Sequence, residues 1–93
     1  MIANQEEAEE LAIEALGFIA QDNELTGRFL ALTGLAGDDI RQAVATPGFQ
    51  AGVLEFLLSH EPTLLAFCSA ALKDPQQVAQ AFALLPGGKH IER

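Results

Sequence analysis

The 93-residue chain has no tryptophan and no tyrosine, a single cysteine, two histidines, and five basic side chains against thirteen acidic ones. Each shortage excludes something. One cysteine, Cys68, cannot form a disulfide within the chain. A net charge of −8 opposes phosphate backbones and anionic lipid surfaces, so neither nucleic acid nor membrane is an expected partner. No apolar run approaches the ~20 residues needed to cross a bilayer. The longest apolar-rich stretches, such as LLAFCSAAL at residues 64–72, fall far short. The opening MIANQEEAEE has neither the basic segment nor the apolar segment of a secretory signal, so a cytoplasmic location is the expectation. With Trp and Tyr missing, the six phenylalanines are the only aromatic anchors left for a core or an interface.

What is present is helical in its spacing. Apolar residues make up 49% of the chain, enough for the core of one small domain. Ala8, Leu11, Ala12, Ala15, Leu16, Phe18 and Ile19 recur at i, i+3, i+4 and i+7, which predicts a helix over residues 5–21. Glu7, Glu10 and Glu14 fall on its opposite face, an acidic face that reads first as solvated surface and second as a dock for a basic partner. Asp22 or Asn23 caps a second helix with Leu25, Phe29 and Leu32 on one stripe, and Gly34 ends it. Gly37 and Asp38 open a short third helix through Ile40, Ala43 and Val44. Thr46-Pro47, Glu61-Pro62 and Asp74-Pro75 each read as a helix start with proline in the first turn. The helices they open carry Phe49, Val53, Phe56 and Leu57; then Leu64, Leu65 and Phe67; then Val78, Ala81, Phe82 and Leu85. Pro86-Gly87-Gly88 stops the last of them, leaving a tail over residues 86–93. No segment alternates with the period of a strand. The expected fold is therefore all-α, a compact bundle of about six short helices in a single domain spanning residues 1–93.

The chain also matches itself. Displaced by 38 positions, residues 15–45 fall on residues 53–83 without a gap. Leu16 meets Leu54, Phe18 meets Phe56, Phe29 meets Phe67, Ile19 meets Leu57 and Ile40 meets Val78. Six identities in 31 positions exceed the roughly three expected by chance from composition. The matched positions are expected core positions, and the helix boundaries coincide. This predicts two related three-helix halves, about 5–45 and 47–85, sharing one core. The competing reading is that two amphipathic runs align by periodicity alone. Between residues 49 and 72 the only acidic side chains are Glu55 and Glu61, and there is no Lys or Arg. Helix 5 is apolar nearly all round, which reads as central in the bundle, with an interface as the alternative.

Chemistry is harder to find. SHEPTLLAFC, residues 59–68, gathers a histidine, a glutamate and the lone cysteine. The zinc-helix pattern H-E-x-x-H fails, because Leu64 stands where the second histidine would be. His60 and Cys68 are eight residues apart, on the order of 12 Å along a helix, too far for a nucleophile pair. Cys68 reads as a small buried hydrophobe. GLAGDD at residues 34–39 lacks the lysine of a phosphate loop, and its aspartates cap a helix more naturally. No metal, cofactor or catalytic residue is expected.

RFLALTGL (residues 28–35), FLLSHEPTLLAF (56–67) and GLAGDDIR (34–41) carry a resemblance. The chain is similar to a family of short, acidic helical proteins of alphaproteobacteria, known as a domain of unknown function, over about residues 11–85. It departs from that pattern at Gly37, where many members have proline. The resemblance implies a compact all-helical bacterial protein and carries no activity, ligand or catalytic residue.

Three functions are then in contention. The first is a non-enzymatic protein–protein interaction module or homodimer, using Phe49, Val53, Phe56, Leu57, Leu64, Leu65 and Phe67. The second is an acidic docking module offering Glu7, Glu10 and Glu14 to a basic partner. The third is a small-ligand binder or enzyme near His60 and Glu61.

Overall fold

The computed structural model describes residues 4–36, 39–46 and 48–88 of the chain. The expected helix opening at Gly37 and Asp38, the proline at Pro47, the side chains of Ile40 and Arg41, and residues 89–93 lie outside the described residues. Those that are described form helices and no strand. There are five helices of ten residues or more and one single turn: α1 (Gln5–Ala20), α2 (Asn23–Thr33), the turn α3 (Ile40–Ala43), α4 (Phe49–Leu58), α5 (Glu61–Ala71) and α6 (Pro75–Leu84).

Most helix boundaries follow from a nearby hydrogen bond. Asn4 Oδ1 accepts from the Glu7 amide at 2.9 Å and opens α1. Asp22 Oδ1 accepts from the Glu24 and Leu25 amides at 2.9 and 3.1 Å and opens α2. Asp74 does the same for α6, where the Gln77 side chain bonds back to the Asp74 amide and Pro75 takes the first turn. Such caps satisfy backbone donors that the helix itself leaves unpaired.

The start of α4 differs from expectation. Thr46 does not cap it; the cap position is Gly48, at φ 94°. The Thr46 hydroxyl donates backwards to the Gln42 carbonyl at 3.2 Å, so it serves the end of the preceding turn. At α5 the cap residue is His60, so Glu61 and Pro62 already lie inside the helix.

Helices α1, α4 and α6 pack on one another, α2 lies on α1, and α5 lies mainly on α4. The Cα radius of gyration, 12.3 Å, matches the roughly 12 Å of a close-packed chain of this length. Ile19, Phe29, Val53, Leu54, Leu57, Phe67 and Val78 are the largest fully buried side chains. Three edge-to-face ring contacts tie the layers together. Phe18 of α1 meets Phe67 of α5 at 5.5 Å, and Phe29 of α2 meets Phe56 and Phe49 of α4 at 5.4 and 6.1 Å.

Helix α5 is not the most buried helix. Thr63, Leu64, Phe67 and Cys68 face inward, whereas Glu61, Pro62, Leu65, Ala66, Ser69 and Ala70 are exposed. Its outward positions are filled by small or apolar residues, so composition conceals a one-sided helix. The central place belongs to α4, where Ala51, Val53, Leu54, Phe56 and Leu57 are buried and Glu55 alone is exposed.

The two inter-helix corners at the 38-residue displacement share their bonding. After α1, the Gln21 amide bonds to Gly17 O at 3.2 Å and the Asp22 amide to Ile19 O at 3.1 Å. After α4, the Ser59 amide bonds to Glu55 O at 2.9 Å and the His60 amide to Leu57 O at 3.2 Å. Helices α2 and α5 each run eleven residues and end on a left-handed residue, Gly34 at φ 77° and Leu72 at φ 58°. Glycine takes that conformation freely; a side chain there costs roughly 1–2 kcal/mol. Leu72 is also 90% exposed, so it recovers little of that cost by burial.

At the far end, the turn after α6 is folded tightly. The Gly88 amide bonds to Leu85 O at 2.9 Å, and a Cβ on Gly88 would land on the Phe82 carbonyl oxygen. A Cβ on Gly87 would sit 3.0 Å from Gly48 Cα. Two substitutions test these backbone constraints by urea unfolding. Leu72→Gly is expected to raise stability by about 1 kcal/mol, through relief of the left-handed leucine. Gly88→Ala is expected to lower it by about 2 kcal/mol, since a strained turn must shift.

Candidate functional site

Histidine 60 stands at the α4–α5 corner, exposed, with its ring held from two sides. Thr63 Oγ1 lies 2.7 Å from Nδ1 and Arg28 Nη2 lies 3.3 Å from the same atom. A guanidinium has no acceptor, so Nδ1 receives its hydrogen bond. This links α2 to the start of α5 and supplies a partner for Thr63, a buried polar side chain of the core. Glu61 is exposed beside it. Cys68 is buried two turns further on, 6% exposed, and does not share the corner. Burial pushes its thiol pKa up, and the negative charge of Asp74 pushes it further the same way. Among the described residues no group of three His, Cys, Asp or Glu side chains could hold a metal ion. Histidine, glutamate and cysteine are thus separated into a structural corner and a core position.

The proposed apolar surface is largely core. Val53, Leu57 and Phe67 are at most 1% exposed, Phe56 and Leu64 are buried, and Phe49 is half-buried. Only Leu65, at 47%, presents substantial surface. The α4 part of the charge-poor run is the centre of the bundle, because α4 is surrounded by α1, α5 and α6. On α1, Glu7, Glu10 and Glu14 are exposed, as their spacing predicts. Glu14 Oε1 lies 3.9 Å from Lys73 Nζ, the one salt bridge among the described residues.

Two exposed residues escaped the sequence reading. Leu72 looked like the last apolar position of α5, but it lies beyond the helix end. Leu32 shares its stripe with Leu25 and Phe29, which are 9% and 2% exposed, yet Leu32 is 71% exposed. It occupies the last turn of α2, where no helix of the bundle covers the stripe.

Beside Leu32 runs a groove of about 290 Å³ between α2 and α4, lined by Leu32, Thr33, Gly52, Glu55, Phe56 and Ser59. A second groove of about 330 Å³ lies between α1 and α5 and includes Glu14, Gly17, Phe18, Gln21, Ala70 and Ala71. Displaced by 38 positions, each residue of the first groove falls on one of these six of the second. His60 and Glu61 line neither.

By fold and by site, then, the protein is a small all-helical domain with surface grooves and without a gathered set of reactive side chains among its described residues. The chain belongs to the family described as a protein of unknown function, DUF3572, whose model matches residues 5–88. No curated protein and no solved structure matches it. No helix among the described residues is long and apolar enough to cross a membrane.

The burial of Cys68 has a direct chemical readout. Labelling of the native protein by a disulfide reagent at pH 7–8 is expected to be at least about tenfold slower than in denaturant, because the thiolate is the reactive form and the fold both hides and disfavours it. Because the folded-state pKa is raised, the fold's preference for the neutral thiol is fully present below the ordinary thiol range. It is lost as pH rises through the folded value, so labelling should accelerate toward alkaline pH.

Proposed function

We propose that the chain is a non-enzymatic protein–protein interaction module, and that its contact surface is the outer face of α5 rather than the whole of helices α4 and α5. The observation that carries this reading is Leu72. It takes a left-handed backbone that favours glycine, and its side chain is 90% exposed. The isolated domain gains little from a leucine there, whereas a partner that covers the side chain does. Leu65, Ala66, Ser69 and Ala70 are exposed and uncharged along α5, up to Glu61 in its first turn. Apolar surface of this kind, free of like charges, also suits the association of two copies in spite of the net charge. A cytoplasmic setting in a bacterium, as the sequence resemblance implies, belongs to this reading.

The proposal includes two related three-helix halves, about 5–45 and 47–85, arranged about an approximate two-fold axis. The reciprocal rings support it. Phe18 and Phe56 are matched positions, as are Phe29 and Phe67, and each half's first-helix ring meets the other half's second-helix ring. An isologous pair makes such exchanged contacts: residue i touches j of its mate, and j touches i. The matching corners and the matching grooves support it independently. The third helices break the relation. Helix α6 lies against both α1 and α4, and a helix seated on an axis between two mates has no room for a symmetric copy.

Sedimentation and pull-down from the native cell test the surface. Leu65→Glu and Leu72→Gly are each expected to abolish self-association or partner capture while leaving the circular dichroism spectrum unchanged. Leu72→Gly is the sharper variant, since it should stabilise the fold as it removes the contact. Unchanged association with both variants would refute the α5 face. An acidic dock on Glu7, Glu10 and Glu14 is the second reading, favoured by their shared exposed face; it requires capture that weakens steeply with salt.

A further inference from the structure

We propose that the groove between α2 and α4 is a docking site for a lysine or arginine side chain carried on an apolar segment of a partner protein. The inference extends the reading of the chain as an interaction module to a second surface and does not depend on the α5 face.

The groove's hydroxyl hydrogens are already used: Ser59 Oγ donates to Phe56 O at 2.9 Å and Thr33 Oγ1 donates to Phe29 O at 2.8 Å. What the two hydroxyls still offer is lone pairs, and the third polar group is the Glu55 carboxylate. Every polar side chain in the groove is therefore an acceptor, and one bears a negative charge. The complementary group is a cationic donor without acceptors, which at neutral pH describes Lys and Arg. A volume of about 290 Å³ lies at the lower edge of ligand pockets, roughly 300–1,000 Å³, and suits a single long side chain rather than a cofactor.

The remaining lining is apolar or open. Phe56 supplies the buried ring, Gly52 leaves clear space where a Cβ would be, and Leu32 continues an inward-facing stripe that nothing covers. Glycine inside a helix costs roughly 0.5–1 kcal/mol relative to alanine. At Gly52 neither φ nor a neighbour within the chain requires it. An aliphatic stem laid across Gly52 and Phe56 would cover Leu32 and bring its charged end to Glu55, the way long basic side chains lie along apolar surface.

The matching groove serves as an internal comparison. There the carboxylate is Glu14, three residues before a helix glycine, Gly17; here it is Glu55, three residues after Gly52. Glu14 already has a basic partner from the chain itself, Lys73 at 3.9 Å, and the residues opposite are alanines rather than an exposed leucine. Position 35, which matches Lys73, is leucine, and Glu55 has no ion pair among the described residues. Among the described residues, one groove is thus provided with its cation and the other is not.

Nuclear magnetic resonance on the full, 15N-labelled chain tests the proposal with a short amphipathic peptide of leucine and lysine as the probe. Saturable shifts are expected at Leu32, Thr33, Gly52, Glu55 and Ser59. Glu55→Gln should weaken binding about fivefold, the upper end for an exposed ion pair. Acetylating the peptide's lysines should weaken it at least as much, while Glu14→Gln should leave it unchanged. Gly52→Leu should block the groove even though Glu55 is intact. Equal binding by Glu55→Gln, equal binding of the acetylated peptide, or shifts centred on Glu6, Glu7 and Glu10 would overturn the proposal. Concentration-dependent broadening of the groove signals without peptide would overturn it too, in favour of a second copy. Leu65→Glu should not alter the peptide response, so failure of the α5 face and failure of the groove are read separately.

Discussion

The two edge-to-face phenylalanine pairs, Phe18 with Phe67 and Phe29 with Phe56, are the contacts on which the remaining structure depends. Each joins a first helix to the second helix that follows the other corner. The core is therefore closed by contacts between helices distant in sequence. Phe29 and Phe67 are among the largest fully buried side chains, and each meets a ring from a helix distant in sequence. Around these pairs the layers fall into place: α1 against α4 in the middle, α2 and α5 outside, and α6 closing the side where both first helices are open.

That arrangement explains why the surface is uneven. A bundle built on crossed pairs leaves a furrow beside each pair, where the second helix ends and the first helix of the other half begins. Phe56 lies in one furrow and Phe18 in the other. Their residues differ: one furrow holds an intramolecular ion pair, and the other an exposed leucine and a glutamate with no ion pair among the described residues. The uncharged face of α5 is a different matter: it arises because that helix packs on one side only.

Much of the fold was legible in the residues. The 3.6-residue spacing of Ala8, Leu11, Ala12, Ala15 and Ile19 marked the buried face of α1, and all five are buried. Asp22 and Asp74 marked helix starts because their side chains can bond the next turn's amides, and they do. Thr46 misled, since the same hydroxyl that caps a following helix can bond backward to Gln42. The candidate surface was not legible, for a physical reason. Hydrophobicity along a helix says that a residue prefers to be covered, not what covers it. Val53 and Leu72 have similar character in sequence; one is buried on the central helix α4, and the other extends past a helix end. The angular stripe that correctly assigned Leu25 and Phe29 failed at Leu32 because the bundle stops one turn earlier. The furrows were invisible for the same reason, although the 38-residue match held the means to pair them once one was seen.

The crossed rings also bear on the order of events at the ribosome. Phe18 and Phe29 leave the exit tunnel early, but their partners lie at positions 67 and 56. The first two helices therefore emerge with apolar faces that they can cover only in part, where α2 lies on α1. Synthesis must pass α5 before both pairs can close, so the domain has no half-built native state on which to wait. Until then the rings of Phe18 and Phe29 wait for partners from the later part of the chain.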